Sequence, residues 1–173
     1  MNKAVFLDRD GTIVIDQKYK NNISRIKFTK NAIEGLNILK NLGYLFIIVT
    51  NQSGIAKGFV KKKKVNLFNK FLLKKLKNRN ILISKIFVCP HQIKDKCKCR
   101  KPESKFGYIA KKMFNLDFRK SFMIGDKLSD VKFGKRLGIK TFRINKSKDI
   151  YIDTIANKIK NEFKNQFNNK RAG

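Results

Sequence analysis

Apolar positions along this chain fall in short blocks of two kinds. Ala4–Leu7, Tyr44–Val49, Ile81–Val88, Ser121–Ile124 and Ile139–Ile144 are nearly unbroken apolar runs rich in aromatic and β-branched residues. Such runs predict strands buried on both faces. Between them the period changes to that of a helix. Ile33, Leu36 and Leu39 mark Asn31–Asn41, which Gly43 follows as a stop signal. Val65, Phe68, Phe71, Leu72 and Leu76 share one face of a helix over Lys61–Arg79. Ser104–Phe114, after Pro102, and Ser129–Leu137, before Gly138, are two further helices. Ile152, Ile155, Ile159 and Phe163 mark a last amphipathic helix over residues 151–168, with fraying expected beyond it. Strand–helix alternation of this kind predicts a three-layer, doubly wound α/β fold around a mainly parallel sheet.

Length and composition narrow this picture. A chain of 173 residues suits a single domain over residues 1–173, and 42% apolar residues supply its core. The longest apolar run, Tyr44–Val49, is far too short to cross a membrane, and Ala4–Leu7 is too short for a secretory signal. A cytoplasmic protein acting as a monomer is expected, with no membrane or nucleic-acid partner. The formal charge of +30 gives that last expectation its reason. The basic residues are spread evenly over both halves, whereas a nucleic-acid footprint gathers in a patch. Lys, Asn and Ile together account for 73 residues, all with AT-rich codons, so the charge reads as codon bias on a permissive surface. The Lys61–Lys64 run reads as the solvated face of its helix.

Acidic residues are scarce, only 12, and four of them cluster. Asp8 and Asp10 follow the first strand; Asp126 and Asp130 follow the fourth. Thr50-Asn51-Gln52-Ser53-Gly54 follows the second strand and Cys89-Pro90-His91 the third. In a parallel sheet, these ends share the edge where ligands bind. Carboxylates two residues apart in extended chain project to one side, where they can hold a hard cation or divide the roles of nucleophile and proton donor. Gly11 permits a sharp turn. Thr50 and the backbone N–H groups of Asn51–Gly54 are candidate donors to an oxyanion. Lys101 can neutralise phosphoryl charge and Arg100 can grip a phosphate with two donors. These are the parts of a phosphoryl-transfer site.

Asp8-Arg9-Asp10-Gly11-Thr12 resembles the DxDGT signature of the haloacid-dehalogenase (HAD) superfamily of phosphohydrolases, and Thr50, Lys101 and Asp126 fall where its other motifs lie. FLDRDGT, VTNQSGIAKG, CPH…CKCRKP and MIGDKLSD are similar to the heptose 1,7-bisphosphate 7-phosphatase family, over about Ala4 to Arg143. The resemblance implies a HAD-like Rossmannoid fold without a cap domain, and a phosphorylated sugar as substrate, in lipopolysaccharide-core synthesis. It implies Asp8 as nucleophile, Asp10 as proton donor and acceptor, Thr50 and Lys101 as phosphoryl stabilisers, and Arg100 in substrate recognition. Mg²⁺ would be held by the Asp8 and Asp126 carboxylates and the Asp10 carbonyl. Asp16, Gln17, Lys18, Tyr19, Thr50, Asn51, Gln52, Ser53, Arg100, Lys101 and Lys127 would contact substrate. Asp130 would orient Lys101.

The three cysteines, Cys89, Cys97 and Cys99, lie within eleven residues of one another, with the only histidine, His91, among them. Three Cys and one His make a closed tetrahedral set for a structural Zn²⁺, in a loop over 89–99 that delivers Arg100 and Lys101. An odd number of thiols argues against a disulfide framework. The five-residue gap between His91 and Cys97 is like that of histidinol-phosphate phosphatases, whereas Asn51–Gly58 is like the heptose enzymes; the heptose substrate is favoured, with histidinol phosphate as the alternative. A phosphatase of nucleic-acid 3′ ends and a non-catalytic zinc-bearing nucleic-acid-binding module are the other readings. No GxxxxGK[ST] loop accompanies the first, and the second has no use for paired aspartates.

Overall fold

The computed structural model describes residues 1–169, with side chains to Asn165. Five strands form one sheet: β1 (Ala4–Leu7), β2 (Leu45–Asn51), β3 (Ile83–Cys89), β4 (Phe122–Gly125) and β5 (Lys140–Arg143). Their order is β3-β2-β1-β4-β5, and every pairing is parallel. The helices are α1 (Ala32–Asn41), α2 (Lys62–Lys77), α3 (Lys105–Phe114), α4 (Leu128–Arg136) and α5 (Ile152–Asn169). All ten predicted elements are present, with ends shifted by one or two residues. The predicted fraying beyond residue 169 lies outside the described residues.

Alternation along the central strands divides the core in two. Val5 and Leu7 of β1, with Phe46 and Ile48 of β2, face α1, α2 and α5 through Leu36, Leu39, Phe68, Leu72, Ile152 and Ile155. Ala4 and Phe6, with Ile47 and Val49, face α3 and α4 through Ala110, Phe133 and Leu137. β1 is buried at all four positions, as a central strand between two helical layers must be. The edge strands β3 and β5 are half-exposed, and each shows a lysine to solvent, Lys85 and Lys140.

β1 lies between β2 and β4, so the winding direction reverses between β1 and β4. A crevice opens at such a point beyond the carboxyl ends of the strands. The segment joining β1 to α1 holds one short 3₁₀ turn, and the loop after β3 holds the Cys/His cluster and another. Among the described residues, neither segment carries a folded domain over Asp8. No helix among them is long and apolar enough to cross a membrane.

Candidate active site and metal centre

Asp8 and Asp126 leave β1 and β4 on either side of the reversal, and carboxylate oxygens of Asp8, Asp126 and Asp130 lie within 4.8 Å of one another. Between Asp8 and Asp130 sits the Lys101 ammonium, 2.6 Å from Asp8 Oδ1 and 2.7 Å from Asp130 Oδ1. All three side chains are buried. Burial works against the Lys101 charge, but Asp8 and Asp130 outweigh it and raise its pKa. Asp130 also accepts the Lys127 N–H at 2.9 Å, which ties the start of α4 to the site. Asp130 therefore touches Lys101, the group it is expected to orient, and also caps the start of α4.

Asp126 differs from its neighbours. Its Oδ1 is buried with no hydrogen-bond partner. Burial, reinforced by the charge of Asp8, pushes the group up to about 6. An orphaned carboxylate oxygen beside two other carboxylates suits a hard divalent cation, which takes oxygen ligands. The Asp126 carboxylate presses against Gly11, where a Cβ would collide with Oδ2. Gly11 also has φ of +84°, a left-handed conformation that glycine adopts without penalty.

Asp10 projects to the same edge but stands apart from that cluster. Its Oδ2 accepts from Arg9 Nε at 3.0 Å, Arg9 Nη2 at 2.8 Å and Gln52 Nε2 at 2.7 Å. Burial raises its pKa against the pull of Arg9. The Gln52 amide also donates to Thr50 Oγ1 at 2.8 Å, so the ends of β1 and β2 are bound together.

A cleft of about 390 Å³ opens beside Asp10. It is lined by Asp16, Gln17, Lys18 and Tyr19 from one loop, Asn51, Gln52 and Ser53 from the end of β2, and Arg100 and Lys127. Nine of the eleven predicted substrate contacts therefore meet at one cavity. Thr50 and Lys101 lie outside its lining; Lys101 borders an adjoining cavity next to the Cys/His loop. Arg9, Asn21, Phe68 and Ser129 line the cleft too and were not foreseen. Some foreseen contacts have internal work as well. Gln17 braces its own loop, donating to Arg25 O at 2.8 Å and accepting from Asn22 N at 2.7 Å. Asn51 exchanges two bonds of 3.0 Å with the Lys101 backbone. The Gln52 N–H, foreseen as an oxyanion donor, instead donates to Cys89 O at 2.7 Å.

The Cys/His loop brings its four donors together. Cys89 Sγ lies 3.7 Å from Cys97 Sγ, 3.3 Å from Cys99 Sγ and 3.7 Å from His91 Nδ1. Cys99 Sγ lies 3.5 Å from Cys97 Sγ and 3.3 Å from His91 Nδ1. Thiolates around tetrahedral Zn²⁺ stand roughly 3.8 Å apart, given Zn–S bonds of ~2.3 Å. The spacing therefore fits a four-coordinate zinc. Burial raises the Cys97 thiol, but hydrogen bonds from Cys99 and the Arg100 backbone bring it down to about 7, which favours the thiolate that a metal needs. Arg100 Nη1 donates to His91 O at 3.0 Å, so the loop also aims this guanidinium.

Similarity to known proteins matches this geometry. The HAD-hydrolase-like family profile matches residues 98–150. The D-glycero-beta-D-manno-heptose-1,7-bisphosphate 7-phosphatase of Pasteurella multocida is 40% identical over 146 residues, covering 81% of this chain and 79% of that one. The D-glycero-alpha-D-manno-heptose-1,7-bisphosphate 7-phosphatase of Campylobacter jejuni is 41% identical over 139 residues, covering 80% of each. The fold matches that of D,D-heptose 1,7-bisphosphate phosphatase from B. bronchiseptica, solved with magnesium and phosphate, with a TM-score of 0.76 at 20% identity over 92% of this chain and 99% of that one. The identity and coverage of the two sequence relatives place this chain in the heptose 1,7-bisphosphate 7-phosphatase family of HAD-like phosphatases.

Proposed function

We propose that this phosphatase removes the 7-phosphate of D-glycero-D-manno-heptose 1,7-bisphosphate, with Mg²⁺ and through a phosphorylated Asp8, in the synthesis of activated heptose for lipopolysaccharide. One observation carries this reading. Asp10, two residues from Asp8, lines a cleft that Lys18, Arg100 and Lys127 also line. A ligand with phosphate at both ends would place one beside Asp8 and Asp10 and the other among the cations of this cleft. The two sequence relatives are named for such a substrate, one for each anomer.

In this mechanism Asp8 attacks phosphorus while the bond from phosphorus to the sugar oxygen breaks. Asp10 gives that oxygen its proton. Water then attacks the phosphorus, Asp10 takes the proton of that water, and the bond to Asp8 breaks to release phosphate. Lys101, held by Asp8 and Asp130, and the Thr50 hydroxyl would offset charge on the phosphoryl oxygens. Mg²⁺ would be held by the Asp8 and Asp126 carboxylates and the Asp10 carbonyl, and when bound it neutralises charge on the same oxygens. Zn²⁺ in the Cys/His loop would hold the chain that delivers Arg100 and Lys101.

The test is phosphate release, with Mg²⁺, from both anomers of heptose 1,7-bisphosphate and from histidinol phosphate in parallel. Preference for the bisphosphate by kcat/KM is expected, with heptose 1-phosphate as the remaining product. Preference for histidinol phosphate would overturn the substrate assignment.

A further inference from the structure

Arg9 sits between the two aspartates and is one of the largest fully buried side chains in the protein. A guanidinium cannot shed its charge, so burying it is costly unless its donors are matched. Here four of its five N–H groups are accounted for. Nε and Nη2 donate to Asp10 Oδ2, Nη2 also to Asn21 Oδ1 at 2.9 Å, and Nη1 to Asn69 Oδ1 at 2.7 Å. The guanidinium carbon stands 4.5 Å from the centre of the Phe68 ring. Asn69 and Phe68 belong to α2, and Asn21 to the loop that lines the cleft. The cation is thus gripped from two further segments, and the one carboxylate it meets among the described residues is Asp10.

The grip is one-sided. With Gln52, Arg9 places three donors on Asp10 Oδ2, while no described residue donates to Oδ1. An oxygen that accepts three hydrogen bonds has no room for a proton of its own. We propose that Arg9, anchored by Asn69, is a positioning residue that locks the Asp10 carboxyl so that Oδ1 alone carries the proton to and from the reacting oxygens. This rests on the reading of Asp10 as proton donor. Arg9 is placed to act through Asp10 and has no assigned contact with phosphate.

The proposal separates from a merely structural role by leaving group. A sugar phosphate leaves as an alkoxide and needs the proton; p-nitrophenyl phosphate leaves as a stable phenolate and does not. Positioned proton transfer contributes about 10²–10⁴-fold. The rates compared are those of leaving-group release in a single turnover, before the hydrolytic step that both substrates share. Asp10→Asn should slow release from a sugar phosphate by that order and from p-nitrophenyl phosphate far less. Arg9→Met and Arg9→Lys should show the same selective pattern, at roughly 10- to 100-fold, a part of the whole acid contribution. Asn69→Ala, which touches neither aspartate, should show it at severalfold. If Asp10→Asn slows both substrates equally, the proton-donor reading fails. If Asp10→Asn is selective but the Arg9 and Asn69 variants slow both equally, or leave both unchanged, the positioning role of Arg9 is wrong while that reading stands. Should the Arg9 variants not fold, Asn69→Ala decides the matter alone.

Discussion

Lys101→Met tests the buried charge cluster most directly. The lysine side chain is 1% exposed and bridges two carboxylates at 2.6 and 2.7 Å. Methionine keeps much of the volume and removes the charge. Asp8 and Asp130 would then face each other, buried, without their shared counter-ion. Removing one partner of a buried ion pair costs about 3–5 kcal/mol, because the partner left behind is uncompensated. An unfolding entropy of about 2.1 cal/mol/K per residue, over 173 residues, converts this to a fall in melting temperature of roughly 8–14 °C. Turnover should fall about 10²–10³-fold, the usual effect of removing one fixed stabiliser of transition-state charge. The assay is thermal denaturation by circular dichroism in metal-free buffer, with Asp130→Asn and the double variant alongside. Because Asp130→Asn removes the repulsion between Asp8 and Asp130, the double variant should melt above Lys101→Met. A Lys101→Met protein that melts within about 2 °C of its parent would refute the argument, since the cluster would then not be a buried one whose charges depend on each other.

Other outcomes follow from the same geometry. Asp8→Asn should abolish phosphate release, while full turnover by that variant would exclude the covalent route. Purified protein should hold one Zn²⁺ per chain by metal analysis. Cys97→Ser should lose it, lower the melting temperature, and raise KM through the Arg100 contact to His91 O. Gly54→Ala would set a Cβ 2.6 Å from Tyr19 Cδ1 and 3.2 Å from Val60 Cγ1. Overpacking of that kind costs about 1–3 kcal/mol, and here it displaces the cleft loop, so steady-state kinetics should show KM rising with kcat nearly unchanged.

Much of this was legible in the sequence because strand ends in a parallel sheet share one edge. Four polar segments after four apolar runs were enough to gather Asp8, Thr50, Cys89 and Asp126. The spacing of Cys89, His91, Cys97 and Cys99 was enough to suggest a metal. What the sequence concealed was how side chains return on themselves. Alternation in an extended segment points Arg9 away from Asp8 and Asp10, yet its long stem bends back to grip Asp10 Oδ2. Asn69 reads as an ordinary polar position on α2, and only the packing of that helix over β1 makes it a buried partner. Ile81 reads as the start of a strand but is buried against the end of α2, its N–H donating to Leu76 O at 3.1 Å; β3 begins at Ile83. Hydrophobicity reports burial there without saying which element provides it.

The basic surface of this chain acquires a use at the two edges of its sheet. An open sheet leaves a row of unpaired backbone donors and acceptors on each outermost strand, which invites pairing with another chain. Here those strands are β3 and β5, and Lys85 and Lys140 stand on them in solvent. A second molecule approaching along either edge must desolvate a lysine while meeting a like-charged body of formal charge +30. The surplus lysines thus discourage fibrous self-association during folding and storage, a protection that weakens as salt shortens the reach of charge to about 8 Å or less.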